Sequence, residues 1–200
     1  MKLFVALLCG AALALAEAAR ADEIEVTEVQ LAGTEEGLAL SADFALELNP
    51  RLAEAVANGV SLYFVVEFEL TRRRWYWFDE KAAARRLQIR LSYNALSRHY
   101  RLSTGVLQQN YATLEEALNV LRHVRGWVVL DRQAALADSN YDAAVRMRLD
   151  VTLLPKPFQL SALTSRELNL ESPWKRFTYR PPVPPPAPVE AREPRDIDAK

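Results

Sequence analysis

The side chains most able to do chemistry are few and scattered: His99 and His123, the adjacent acid pairs Asp79-Glu80 and Glu115-Glu116, and the segment Arg72-Arg73-Arg74-Trp75-Tyr76-Trp77. Neither histidine belongs to an HExxH, paired-His or Cys-containing spacing that could hold a metal. His123 suits the negative end of a helix, and the charge of nearby Arg101 disfavours a divalent cation at His99. One acid pair reads as a turn and the other as the first turn of a helix. No GxSxG, GxxxxGK[ST] or GxGxxG pattern occurs, so acyl transfer and nucleotide chemistry have no anchor of those kinds. No catalytic, cofactor-binding or metal-ligating residue is assigned, and no cofactor or small-molecule substrate is identified. A hydrolase whose carboxylates converge from distant strands stays open as the alternative.

Guanidinium beside aromatic rings, as in Arg72 to Trp77, has the composition of a nucleic-acid platform. The start of the chain argues for a different anion. Leu3 to Ala16 is an apolar run behind Lys2, and Ala19-Arg20-Ala21 is a small-x-small cleavage site. The run is shorter than the roughly 18 to 20 residues that span a bilayer, so export with cleavage after Ala21 is expected, with an uncleaved anchor as the alternative. Cys9 lies inside the apolar run and leaves with it, so the mature chain has no disulfide and no thiol chemistry. In the periplasm the available anions are lipid head groups, lipopolysaccharide phosphates or an acidic protein. Nucleic acid is not expected.

Removing 21 of 200 residues leaves 179, enough for one domain with a core. Charge is unevenly spread along it. Residues 22–48 carry eight acids and no Lys or Arg, and residues 71–101 carry nine bases against Asp79 and Glu80. Opposite blocks of this kind can face one another in the fold or leave a basic surface for an anionic partner.

Period-two alternation dominates and argues for strands with one face in a core. Leu38, Leu40, Ala42, Phe44, Leu46 and Leu48 follow a Gly33 to Gly37 turn that joins them to a strand near Ile24 to Ala32. Asn49-Pro50 starts a short helix with Leu52, Ala55 and Val56 on one side. Leu62, Phe64, Val66, Phe68 and Leu70 form a long strand, and the parity change at Trp75 and Trp77 predicts a β-bulge near Arg72 to Arg74. Leu87, Ile89, Leu91 and Tyr93 form the next, which places Glu67 and Glu69 on the side of Arg86 and Arg90. A strand follows at Arg98 to Ser103. Thr113-Leu114-Glu115-Glu116 is a capping box ahead of a helix striped by Leu114, Ala117, Leu118 and Leu121. Trp127 to Leu130 reads as a short strand, and Val145, Met147, Leu149, Val151 and Leu153 as the last, ended by Pro155 and Pro157. Residues 180–200 are proline-rich and read as a disordered tail.

These segments predict a mainly β fold, an antiparallel β-sandwich of about seven strands with two short inserted helices over residues 22–179, with a closed barrel as the alternative. Parity sets Arg86, Arg90, Arg101, Arg146 and Arg148 opposite the apolar positions of their strands. They are the candidate interaction surface, expected to be exposed on one face.

Three blocks carry a family resemblance: Thr71-Arg-Arg-Arg-Trp-Tyr-Trp-Phe-Asp-Glu-Lys, Leu154-Pro-Lys-Pro-Phe-Gln-Leu-Ser-Ala-Leu-Thr-Ser and Pro173-Trp-Lys-Arg-Phe. Over roughly residues 24–179 the chain resembles the proteobacterial DUF4390 family of exported proteins. It departs at Leu168 and Phe177, where the family pattern would favour tryptophan. The resemblance implies an uncharacterised exported domain, often encoded beside a membrane sensor kinase, and brings no reaction or catalytic residues. The function expected is therefore a non-catalytic periplasmic interaction domain, with a membrane sensor protein or the anionic envelope surface as partner. Cleavage is directly measurable: protein recovered from the periplasm should have the intact mass of a chain beginning at Asp22, and retention of residues 1–21 would establish the anchor instead.

Overall fold

The computed structural model describes residues 24–72, 80–132, 140–164 and 168–181. Among them lie nine strands and three helices: β1 (Glu25–Gly33), β2 (Gly37–Ala45), α1 (Pro50–Ala57), β3 (Leu62–Arg72), β4 (Glu80–Asn94), β5 (His99–Thr104), β6 (Leu107–Tyr111), α2 (Leu114–Leu121), β7 (His123–Asp131), β8 (Tyr141–Leu149), α3 (Lys156–Thr164) and β9 (Lys175–Tyr179). A three-stranded sheet in the order β1-β2-β7 faces a six-stranded sheet in the order β6-β5-β4-β3-β8-β9. Every pairing is antiparallel. This is a mainly β sandwich rather than one closed barrel.

The alternating apolar positions meet between the sheets. Leu62, Phe64, Val66, Phe68 and Leu70 of β3 are fully buried, as are Val145 and Met147 of β8 and Leu40 of β2. Three strands cannot cover six, and helices supply part of the remaining cover. α1 sends in Leu52, Ala55 and Val56, and α2 sends in Ala117, Leu118 and Leu121. Both helices start as their sequences dictate. Asn49 Oδ1 accepts from the Leu52 amide at 2.9 Å, and Thr113 Oγ1 accepts from the Glu116 amide at 3.2 Å. The Glu116 carboxylate reaches one residue beyond the cap, to the Ala112 amide at 3.1 Å.

The structure corrects several expectations. Nine strands replace about seven because β6 and β9 lie at the two ends of the large sheet, where no apolar alternation is needed. β8 stops at Leu149, and Asp150 Oδ1 accepts from Thr152 N at 3.2 Å to start a single 3-10 turn over Val151–Leu153. Pro155 and Pro157, expected only to end a strand, stand at the start of α3, where a missing N–H costs nothing. The β3–β4 register shifts between Leu70 and Thr71, with Ala82 the extra residue of β4. Arg73 and Arg74, Trp75 and Trp77, residues 1–21 and nearly all of the tail lie outside the described residues.

Gly37 fixes how the hairpin meets β7. Its φ is +144°, and a Cβ there would sit 2.1 Å from the Leu130 carbonyl oxygen and 2.9 Å from the Arg132 nitrogen. Gly37→Ala must therefore push backbone from backbone, and a loss of about 2 kcal/mol or more is expected in urea unfolding. Gly59→Ala is the comparison, since φ is +90° there but no atom lies within 4 Å. It should cost only about 1 to 2 kcal/mol.

Candidate interaction surface

Glu67 is the central residue of the outer face of the large sheet. The register sets Arg146 of β8 and Arg86 of β4 directly beside it on either hand. Arg146 Nε stands 2.6 Å from one carboxylate oxygen, and Arg86 Nε and Arg148 Nη2 stand 3.0 Å and 3.6 Å from the other. Glu67 itself is 5% exposed, so the carboxylate lies beneath the guanidinium groups rather than in water. Burial pushes its carboxyl group up, but the hydrogen bond from Arg146 and the charges of Arg146, Arg148 and Arg86 outweigh this. The net position is below the usual carboxylate range.

An aromatic ring completes the array. Residues 170–172 run beside β8, with the Leu149 amide donating to the Leu170 carbonyl at 2.7 Å and the Ser172 amide to the Met147 carbonyl at 2.8 Å. β9 resumes the pairing at Lys175 opposite Val145, so the Pro173-Trp174 step carries one residue more than β8. That surplus is a bulge, and the Trp174 ring lies over Arg146 with the guanidinium carbon 4.6 Å from the centroid.

The remaining two arginines share this face. Arg90 lies opposite Tyr63 and Ser103, and Arg101 lies opposite Ser92 and Asn110. Arg101 Nε donates to Asn110 Oδ1 at 3.0 Å, whereas the enclosed Arg90 Nε finds no hydrogen-bond partner among the described residues. The five arginines thus sit on one side of one sheet, but not as five free side chains. Arg86 is exposed at 76%, while Arg146 and Arg148 are only 27% and 25% exposed because Glu67 draws them down. Around Glu67, the guanidinium groups of Arg86, Arg146 and Arg148 gather, with Asp150 3.8 Å from Arg148; on the same face Glu171 is β-bridged to Arg148 and Glu69 is paired with Lys81. The acidic N-terminal hairpin does not cover the arginines. Its Asp43 pairs with Arg125 of β7, which holds the Asp43 carboxyl below its usual range.

Other places where chemistry could gather give a different picture. A cleft of about 270 Å3 opens between the sheets beside α2, lined by Leu87, Ile89, Leu102, Leu107, Val120 and Trp127 with His123 and Arg125 at its polar side, and no carboxylate lines it. His123 Nδ1 contacts the Asn119 carbonyl in the last turn of α2, the helix-end role its position predicts. Glu28 and Asp43 share a shallow hollow of about 160 Å3 on the small sheet, yet Arg125 stands between them and lowers Asp43, the reverse of what a general acid needs. Ser172-Pro-Trp-Lys175 has the SxxK spacing of serine acyl-enzymes. Ser172 is buried, its Oγ accepts from the Met147 amide at 3.0 Å, and Lys175 opens a strand instead of facing it across a helical turn. Among the described residues no group of three His, Cys, Asp or Glu side chains could hold a metal.

Fold and surface together define a mainly β sandwich domain with an arginine array on the outer face of its larger sheet. A family model described as Domain of unknown function (DUF4390) matches residues 21–178, and the chain belongs to that family. Comparison with curated proteins and with solved structures gave no match.

The array makes a pH prediction. A lowered folded value means that Glu67 contributes stability fully above its unfolded value near 4.5, and that this contribution is lost as pH falls through the lowered one. Glu67→Gln should cost on the order of 2 to 3 kcal/mol at pH 7, because it leaves the guanidinium groups without their counter-charge. It should also flatten the acid limb of a plot of unfolding free energy against pH.

Proposed function

We propose that this protein is a non-catalytic interaction domain that works outside the cytoplasm and binds an anionic partner through the outer face of its six-stranded sheet. The partner is an acidic segment of a membrane sensor protein or the anionic surface of the envelope. The observation that carries this reading is the arginine array: five arginines on one sheet face, three of them gathered over the buried Glu67 carboxylate. Hydrogen bonds to Glu67 and Asn110 already hold Arg146 and Arg101, so part of their side-chain entropy is lost before binding. The apolar run and cleavage site at the start of the chain support export.

Arg90 and Arg101 are the informative positions for a test, because Arg146 and Arg148 hold Glu67 and reversing them would disturb the sheet itself. Binding is measured to vesicles containing phosphatidylglycerol and, separately, to peptides from acidic periplasmic loops of membrane sensors. Arg90→Glu combined with Arg101→Glu should weaken association about tenfold or more while the melting temperature stays within a few degrees, and wild-type binding should weaken as salt rises. Loss in the vesicle arm assigns the envelope, and loss in the peptide arm assigns the sensor. Unchanged binding in both arms, or the absence of any salt dependence, would overturn the proposal.

A further inference from the structure

Four strands end the two sheets, and three of them carry devices that discourage a further strand. β1 has a register shift between Val26 and Glu28. β7 pairs with two shifts and passes through Gly126 at φ +61°. β9 begins with Lys175-Arg176 directly after the Pro173-Trp174 bulge. β6 is different. Leu107-Gln-Gln-Asn-Tyr111 has no charge, proline or glycine, and its five pairs with β5 run from Thr104↔Leu107 to Tyr100↔Tyr111 without a shift. Among the described residues no strand lies beyond it, so its outward N–H and C=O groups form an open template.

The apolar surface beside this edge is exposed as well. Val106 is 97% exposed, Leu107 69% and Val120 41%, and the last two line the cleft between the sheets. Leu107, Gln109 and Tyr111 lie on the cleft side, since Gln109 is opposite buried Leu102, and Gln108 and Asn110 lie on the arginine side.

We propose that the occupant of this edge is a second copy of the same chain, paired β6 to β6 in antiparallel fashion about a two-fold axis through Gln109. Opposed residues in an antiparallel pair share a face, so cleft-side positions must meet cleft-side positions. Full overlap of the five residues then sets Leu107 against Tyr111 of the second copy, Gln108 against its Asn110, and Gln109 against its Gln109. Each pairing is complementary. Aliphatic meets aromatic on the cleft side, covering the exposed Leu107, and amide meets amide on the other. Asn110 Oδ1 already accepts from Arg101, which leaves its NH2 group to donate to the Gln108 carbonyl oxygen across the axis. No like charges are opposed. The result is a continuous twelve-stranded sheet in which the arginine faces of both copies lie on the same side. The pairing does not depend on anion binding, because it is made by the backbone edge of β6 and not by the arginine face.

The test uses the self-opposed position. Purified wild-type protein in sedimentation equilibrium should dimerise reversibly, with the amides of β6 gaining hydrogen-exchange protection as concentration rises. Gln109→Lys and Gln109→Glu, at an exposed residue, should each weaken self-association at least tenfold, since each sets like charges together on the axis. An equimolar mixture of the two should recover dimer, because lysine then faces glutamate. A wild-type protein that stays monomeric to about millimolar concentration, β6 amides whose exchange is independent of concentration, charged variants that dimerise as well as wild type, or a mixture that stays monomeric would each overturn the proposal.

Discussion

A carboxylate in the middle of the central strand governs this fold. β3 has neighbours on both sides and its inner face is wholly buried, so its outer face would ordinarily be the wet one. Yet Val65 and Glu67 on that outer face are each only 5% exposed. Burying an unpaired carboxylate would cost several kcal/mol, so Glu67 can occupy this place only because β4 and β8 deliver Arg86 and Arg146 in direct register and Arg148 one row away. A one-residue slip of either neighbour would turn these arginines to the apolar side and strand the carboxylate. The ion cluster therefore works against misregister as much as it adds stability.

The same cluster explains the C-terminal edge. After α3 the chain returns along β8, and the surplus residue at Pro173-Trp174 turns an indole onto Arg146 instead of extending the ladder. Proline removes a donor there, and the bulge breaks regular pairing. One device thus helps cover the charged face and blunts the edge. The opposite edge, β6, has no such protection, which makes the two ends of the large sheet chemically unlike.

Chemistry and interaction are distributed accordingly. Asp43 and Glu67, each paired with arginine, are both pushed below their usual range, so both serve as fixed anions rather than proton donors. The cleft is apolar and lacks an acid. What remains outward-facing and organised is the positive charge over Glu67 and the open edge of β6. Both are features of recognition.

Much of the fold is legible in the sequence because burial on one face writes itself as alternation. β2, β3, β4 and the second half of β8 follow directly from their apolar positions, and Asn49 and Thr113 mark their helices because a cap is a local interaction between neighbours in the chain. Parity also set each of the five arginines opposite the apolar positions of its own strand. It could not say that three of them converge on one buried carboxylate, because alternation gives the side of a strand and not the order of strands in the sheet. The neighbours of β3 are β4, next in sequence, and β8, which comes four other strands and one helix later. β6 and β9 escaped notice for a related reason: an edge strand is held by the ladder it joins and needs no apolar pattern of its own. α3 escaped because prolines that end a strand equally begin a helix. Sequence determined which residues face inward, while tertiary structure decided which distant strands became neighbours, and long-range charge pairing depends on that second choice.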